Sequence, residues 1–439
     1  MESETNTDPS LPENDLPETL DRPEKRAQRD RWFRILAIVL LLAIIGGGIF
    51  VVQRLTAPQT PNNGSFTAQQ KHGGVCVVNG AGLNISNGNP ALNAIAAVST
   101  NDIWAVGSLG GQTLAEHWNG TNWQGVPGPN NGTNSSKLNS IAAIASNDIW
   151  AVGAISVSAS PSTTFGSPNH TLIEHWNGSQ WSIVPSPDAV VVTVTGTPPT
   201  AQGLNQLNSI AAVSANDIWA VGAADGHPQD HYLANPSPLI EHWNGSQWSL
   251  ATLPSLPSGA LLEGVTAISA NDVWAVGNSI TPGTNFPEPL FAHWDGQKWS
   301  FMSGPGVGVY GGALTAISAT GSDNIWAVGA KTQTSKAVPP LVEHWDGTRW
   351  NLVNFPQTTQ IASLLDVLAL SANNVWIVGG STSVIVEHWD GTHWQAVTQQ
   401  HTESGGLSGL ASTGGKLWMV GTSVTGLQAV PNTLIESTC

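Results

Sequence analysis

Histidines, acidic residues and two cysteines carry the reactive chemistry of this chain, and their spacing decides what chemistry is open to them. Six histidines stand in a recurring (Glu/Ala)-His-Trp pattern: His117, His175, His242, His293, His344 and His388. Five of these are preceded by glutamate: Glu116, Glu174, Glu241, Glu343 and Glu387. His and Glu together suit metal ligation or acid–base catalysis. Their regular recurrence argues against both, because equivalent positions in successive structural units lie far apart and cannot converge on one ion. These residues are therefore expected to make hydrogen bonds between strands or to the next unit. The remaining concentration is the segment Asp225–Tyr232, which holds Asp225, His227, Asp230, His231 and Tyr232. His227 and His231 lack an identifiable third ligand, so no metal site and no cofactor are expected. The segment is a candidate binding loop, with an ordinary polar surface loop as the plain alternative. No catalytic set converges in the sequence; a propeller enzyme would have to draw on Asp188, Asp225, Asp230, His227, His231 and Glu288.

These residues sit in a repeating unit, and internal repetition has to be read before anything else. An apolar stretch leads into Asn-Asp-Ile-Trp-Ala-Val-Gly, then a variable gap, Leu-Ile-Glu-His-Trp-Asn-Gly, and a Trp three residues on. The first Trp recurs at Trp104, Trp150, Trp219, Trp274, Trp326, Trp376 and Trp418. The His-Trp pair recurs at Trp118, Trp176, Trp243, Trp294, Trp345 and Trp389, and the last Trp at Trp123, Trp181, Trp248, Trp299, Trp350 and Trp394. Of the 20 tryptophans only Trp32 lies outside the repeats, so the repeats hold the apolar core.

Each unit resolves into four short strands, a to d. In the third, a is expected at 207–214, b at 218–222, c at 239–243 and d from 247. Asn216-Asp217 is expected to turn a into b, and Asn244-Gly245, a strong hairpin signal, to turn c into d in a type I′ turn. Four strands per unit is the pattern of a propeller blade. A solenoid is the competing architecture, but the chain ends favour a ring. The seventh unit stops after three strands, and residues 83–90 stand where an orphan d strand would be. The expected fold is all-β: a seven-bladed β-propeller over residues 75–439, closed by a split blade. Cys76 lies near its start and Cys439 ends the chain, so a disulfide between them would pin the closure.

Residues 35–52 are apolar and uncharged. At 1.5 Å per residue they reach about 27 Å, close to the hydrocarbon thickness of a bilayer. A transmembrane helix is expected over 35–53; a cleaved signal peptide is the rival. Arg22, Lys25, Arg26, Arg29, Arg31 and Arg34 precede it, so residues 1–34 are expected to be a disordered cytoplasmic tail, with the propeller exported. Residues 54–74 read as a flexible tether. The formal net charge of −16 excludes nucleic acid as a natural partner.

The NDIWAVG … EHW(N/D)GxxW repeats, over roughly 83–439, resemble those of Kelch and galactose-oxidase-like propellers. They are similar also to the repeats of the photosystem II assembly and stability factor, in which an "aVG" strand precedes a "dGGxxW" hairpin. The resemblance implies a propeller and little about activity. A galactose-oxidase copper site would need Tyr, His and a Cys-modified Tyr, whereas this chain has only Tyr232 and Tyr310. A sialidase site would need an arginine cluster, and past the tether Arg349 is the sole arginine.

The a–b and c–d turns read as uniformly tight. Length variation falls on the other face, at 155–170, 188–206, 223–237, 278–288 and 330–339, which is where recognition is expected. The leading expectation is a membrane-anchored, extracytoplasmic, non-catalytic module binding protein or an envelope glycan. An oxidase-like or hydrolytic propeller enzyme is the alternative, and a sensor signalling through residues 1–34 a third.

Overall fold

In the computed structural model the described residues lie between 75 and 438, except 79, 81–87, 130–131, 133, 157–168, 191–192, 196–199, 226–235, 256–258, 281–285, 333–338, 357–361, 382, 398–403 and 426–429. The expected tail, transmembrane helix and tether fall outside them. Among the described residues no helix is long and apolar enough to cross a membrane. All regular structure there is β.

Each repeat is an antiparallel sheet whose strands follow chain order. In the first, strands a to d are Ala91–Ser99, Asp102–Leu109, Gln112–Trp118 and Trp123–Val126. In the third they are Leu204–Ser214, Asp217–Asp225, Ser237–Trp243 and Trp248–Leu250. The seventh has Ser404–Thr413, Lys416–Thr425 and Val430–Thr438 as a, b and c, and borrows its d strand from the chain start, Val75–Val77. The orphan strand is therefore not at 83–90: residues 81–87 lie outside the described residues, and Gly88, Asn89 and Pro90 belong to no strand. Val75 shows why the pairing holds, since it is buried in the core between the sixth and seventh repeats. Cys76 sits opposite Ser437 in this pairing and is disulfide-bonded; Cys439 lies outside the described residues.

Both turns are displaced by one residue from the sequence expectation. Ser214 pairs with Asp217, so Ala215 and Asn216 form the a–b loop. Trp243 pairs with Trp248, and the Asn244 N–H donates to the Gln247 carbonyl, which leaves Gly245 and Ser246 as loop residues. Gly at the first loop position is the type II′ signature rather than I′. The preceding Asn instead accepts, through Oδ1, the N–H groups of Ser246 and Gln247 at 3.0 Å. Gly245 has φ +91°, and a Cβ there would stand 2.7 Å from the Asn216 side chain. The two turns thus lock together, and only glycine fits between them.

Every strand a shares a bulge near its start: the register shifts between Leu92 and Ala94, Leu138 and Ser140, Leu207 and Ser209, and at the matching residues of the other repeats. A bulge re-aims the extra side chain, and here it reaches strand a of the next repeat. The Asn93 amide donates to the Leu138 carbonyl (2.7 Å), Asn139 to Leu207 (2.7 Å), Asn208 to Leu262 (2.9 Å), and the Thr315 hydroxyl to Leu364 (2.8 Å). Opposite each bulge stands the Gly of Ala-Val-Gly; a Cβ on Gly222 would lie 2.0 Å from the Gln206 carbonyl oxygen.

The core lies between sheets, not within them. Trp150, Val152 and Ile173 of the second repeat pack on Leu207, Ile218, Leu239 and Trp248 of the third. The same pattern joins each repeat to the next and the seventh to the first, where Trp418, Val420 and Ile435 meet Leu92, Ile103, Leu114 and Trp123. The described residues thus form a closed, propeller-like all-β array.

Strand c carries a belt of buried acids: Glu116, Glu174, Glu241, Glu343, Glu387 and, unforeseen in the sequence, Glu436. Ala292 takes this place in the fourth repeat. Their contacts reach the preceding sheet: the Ser186 hydroxyl, on the connection leaving the second repeat, donates to Glu241 at 2.8 Å, and Glu174 is hydrogen-bonded to Thr113 on strand c of the first. Burial pushes Glu174 up to about 7 and Glu241 and Glu343 up to about 8, and raises Glu387. Asp366, on strand a of the sixth repeat (Ala362–Ser371), is pushed up to about 7 by burial, opposed by the N–H groups of Leu410 and Val367.

Two outcomes follow from this packing. Asn139→Ala leaves the buried Leu207 carbonyl without its donor and should cost about 1–2 kcal/mol in urea unfolding, whereas Ser179→Ala on an exposed turn should change stability by less than about 0.5 kcal/mol. The buried acids favour their neutral form in the fold, so their contribution is fully present below about pH 4.5 and is lost as pH rises through about 7 to 8. His344 and His388, lowered by burial, act in the opposite sense only below about pH 6.5. The melting temperature should therefore fall between pH 6.5 and 8, and Glu241→Gln should flatten that slope; a rise over this range would contradict the assignment.

Candidate functional site

The strand ends define two faces, and the repeated histidines belong to the a–b/c–d turn face. His117 Nε2 bonds Asp102 Oδ1 at 2.9 Å, and the same oxygen accepts the Trp104 indole N–H at 2.9 Å. The His117 ring stacks on Trp104 with centroids 4.3 Å apart. The His bond recurs as His175 on Asp148, His242 on Asp217 and His293 on Asp272, and in the fifth and sixth repeats Asn324 and Asn374 replace the carboxylate; the indole bond recurs in all of these repeats but the third. In the seventh, Ser437 stands opposite Trp418 in the place of His. Each imidazole bonds one Asp or Asn and packs against one Trp, which makes it a positioning element of the fold.

The tryptophans extend this arrangement across sheet boundaries. Trp104 meets Trp176 at 4.8 Å and, edge-on, Trp181 at 5.6 Å, and the ladder closes where Trp418 meets Trp118 at 5.3 Å. The b-strand residues Trp104, Trp150, Trp219, Trp274, Trp326 and Trp418 are buried, while Trp376 is half-buried. At the partner position for Trp376 the seventh repeat offers Thr438 instead of Trp.

The opposite, loop face holds the irregular residues. Asp225 is buried at the end of its strand, opposite Leu204. His227, Asp230, His231 and Tyr232 lie outside the described residues, so Asp225 is the only member of the candidate binding loop that the structure places. Among the described residues no group of three metal-binding side chains occurs.

Three features of this face were not singled out by the sequence. First, His170 Nδ1 bonds Asp188 Oδ2 at 2.5 Å, and Asp188 Oδ1 accepts the Thr171 N–H at 3.0 Å. Unlike the repeated histidines, His170 is bound through Nδ1 and is well exposed, at 41%. Asp188 belonged to the catalytic pool; its histidine partner did not, because nothing in the repeat marks residue 170.

Second, a cavity of about 180 Å³ opens between the first and second repeats. Ser108, Ser135, Ser136, Ser156, Asn169 and Lys137 line it, with Gly111 and Ala154 completing the wall. Lys137 is on strand a of the second repeat, Ser135–Ala145. Burial pushes its ammonium down, and the charge of Glu263 partly offsets this. Burial pushes Glu263 up to about 8, opposed by Lys137.

Third, apolar side chains are exposed where the fourth and fifth repeats meet. Val309 is 83% exposed; Tyr310 packs edge-on against Phe286 with centroids 5.5 Å apart; and Ile280 pairs across strands with Pro287.

No family model and no curated protein matches the sequence. Among solved structures, the chain is similar to YCF48 bound to D1 peptide, at 14% identity and TM-score 0.50 over 81% of this chain and 96% of that one. It is similar also to U3-55K, at 11% identity and TM-score 0.50 over 83% and 98%. YCF48 from Cyanidioschyzon merolae matches at 14% identity and TM-score 0.49 over 83% and 98%. At these identities the likeness is one of fold: a propeller-like array resembling that of the photosystem II assembly factor.

Proposed function

We propose that this chain is a membrane-anchored, seven-bladed β-propeller that binds a polypeptide on its loop face, outside the cytoplasm, without catalysis. The observation that carries the reading is the contrast between faces. The turn face is filled by repeated, mutually satisfied turns. The loop face carries exposed Val309 and Tyr310 beside Phe286, together with a polar cavity. Aromatic anchors ringed by polar groups suit protein recognition. A solved relative in fold, YCF48, is bound to a D1 peptide, which supports a polypeptide over a glycan as the ligand. The blade count rests on the repeats and on packing of the last against the first. The anchor rests on the apolar run at 35–52 and the basic residues before it. In this reading Cys439 is the partner of Cys76, joining the borrowed strand to the strand it completes.

Photo-cross-linking in intact membranes tests these claims together. A cross-linker at Val309 should capture a polypeptide and one at Ser246, on the turn face, should not; capture from Ser246 alone would overturn the face assignment. In the same preparation the propeller should be digested by protease added outside the cell. The two cysteines should resist alkylation until reduced. Protection from external protease would remove the proposed topology, and alkylation without reductant would remove the disulfide.

A further inference from the structure

We propose that the cavity around Lys137 is a carboxylate-binding subsite that takes the C-terminal carboxylate of a polypeptide. The inference rests on the polypeptide-binding reading above and names the group that this part of the face would recognise. Its first support is the ammonium itself. Lys137 lines the cavity from a strand packed deep in the array, and among the described residues its side chain has no hydrogen bond or ion pair. A partly buried ammonium that makes no hydrogen bond gains from an anionic ligand. Glu263 is its charged neighbour, and burial favours the neutral acid there up to about pH 8.

The rest of the wall agrees. Ser108, Ser135, Ser136, Ser156 and Asn169 make the wall polar, with the Ser156 hydroxyl donating to Asn169 Oδ1 at 2.5 Å, and no acidic side chain lines the cavity to repel an anion. One cation with neutral donors matches a monoanion. A phosphate ester would call for more positive charge, but Arg349, the only arginine after residue 54, stands on a c–d turn beside Asp346. Size narrows the class further. At about 180 Å³ the space is below the ~300 Å³ at which pockets begin to enclose whole small molecules. It suits the end of a longer chain held elsewhere on the face, and capture of a terminal carboxylate is a known recognition mode.

The test uses the full-length chain in detergent micelles with three probes: N-acetyl-Ala-Ala as the free acid, the same dipeptide as its C-terminal amide, and N-acetyl-Glu-Ala-amide, whose only carboxylate is a side chain. Binding is read by calorimetry and by reductive methylation of Lys137 followed by mass spectrometry. The free acid should bind at least about tenfold more tightly than the terminal amide and should slow methylation of Lys137. Lys137→Met should abolish that preference. Labelling of the unsubstituted protein serves if this variant does not fold. Equal binding of acid and amide, or labelling of Lys137 unaffected by the acid, would overturn the proposal. So would preference for the glutamate probe, which would assign the site to an acidic side chain. If Lys137→Met still cross-links its polypeptide through position 309 at full yield, the carboxylate subsite falls while the polypeptide-binding reading stands. Loss of cross-linking from position 309 in the unsubstituted protein would instead remove that reading.

Discussion

Burial between neighbouring sheets is the constraint on which the rest of this structure depends. Each sheet of four short strands has two apolar faces and cannot cover either alone. Trp219 of the third repeat, for example, is covered by Trp294 and Trp299 of the fourth. An open array would leave one such face bare at each end. The chain avoids this by bringing Trp418 against Trp118 and Trp123, and by spending its first described strand, Val75–Val77, on the last sheet. Bulged strands a add a second connection, passing a side-chain hydrogen bond from each repeat to the next where Asn or Thr occupies the bulge.

That constraint also explains why the two faces differ. On the turn face, Asp217 fixes His242, Asn244 caps its own loop, and Asn216 leaves no room for a side chain at Gly245. These contacts recur from repeat to repeat, so the turns cannot lengthen without breaking them. The connections on the other face vary in length and composition. Irregular chemistry collects there: His170 with Asp188, Lys137 with its cavity, and Val309 with Tyr310. The repeated side sets the frame, and in the proposed reading the variable side recognises the partner.

Repetition made much of the fold legible in the sequence. The tryptophans, the His-Trp pairs and the Gly of the turns announced strands and their order, because the same packing problem is solved the same way each time. Errors arose where spacing alone was ambiguous by a residue or a segment. Asn-Gly read as the loop centre, but its Asn is the flanking residue whose side chain caps the loop. Residues 83–90 resembled a strand, yet Val75 is the residue that the last interface buries. The candidate site was much less legible. Lys137 is a lone lysine within an ordinary strand pattern, and its significance comes from Ser108 and Asn169, brought to it by pairing between distant segments. The bulge at Asn139 was hidden for the same reason: nothing in Leu-Asn-Ser distinguishes an extra residue from a regular one until the opposite strand is in place.

Native-state hydrogen exchange, resolved by peptide, tests ring closure most directly. Closure predicts that strand a of the first repeat, Ala91–Ser99, is protected as strongly as strand a of the fourth, Leu261–Ser269, since both are flanked by packed neighbours. Protection that falls steadily toward the first and seventh repeats, with the central ones most stable, would contradict it and require an open array.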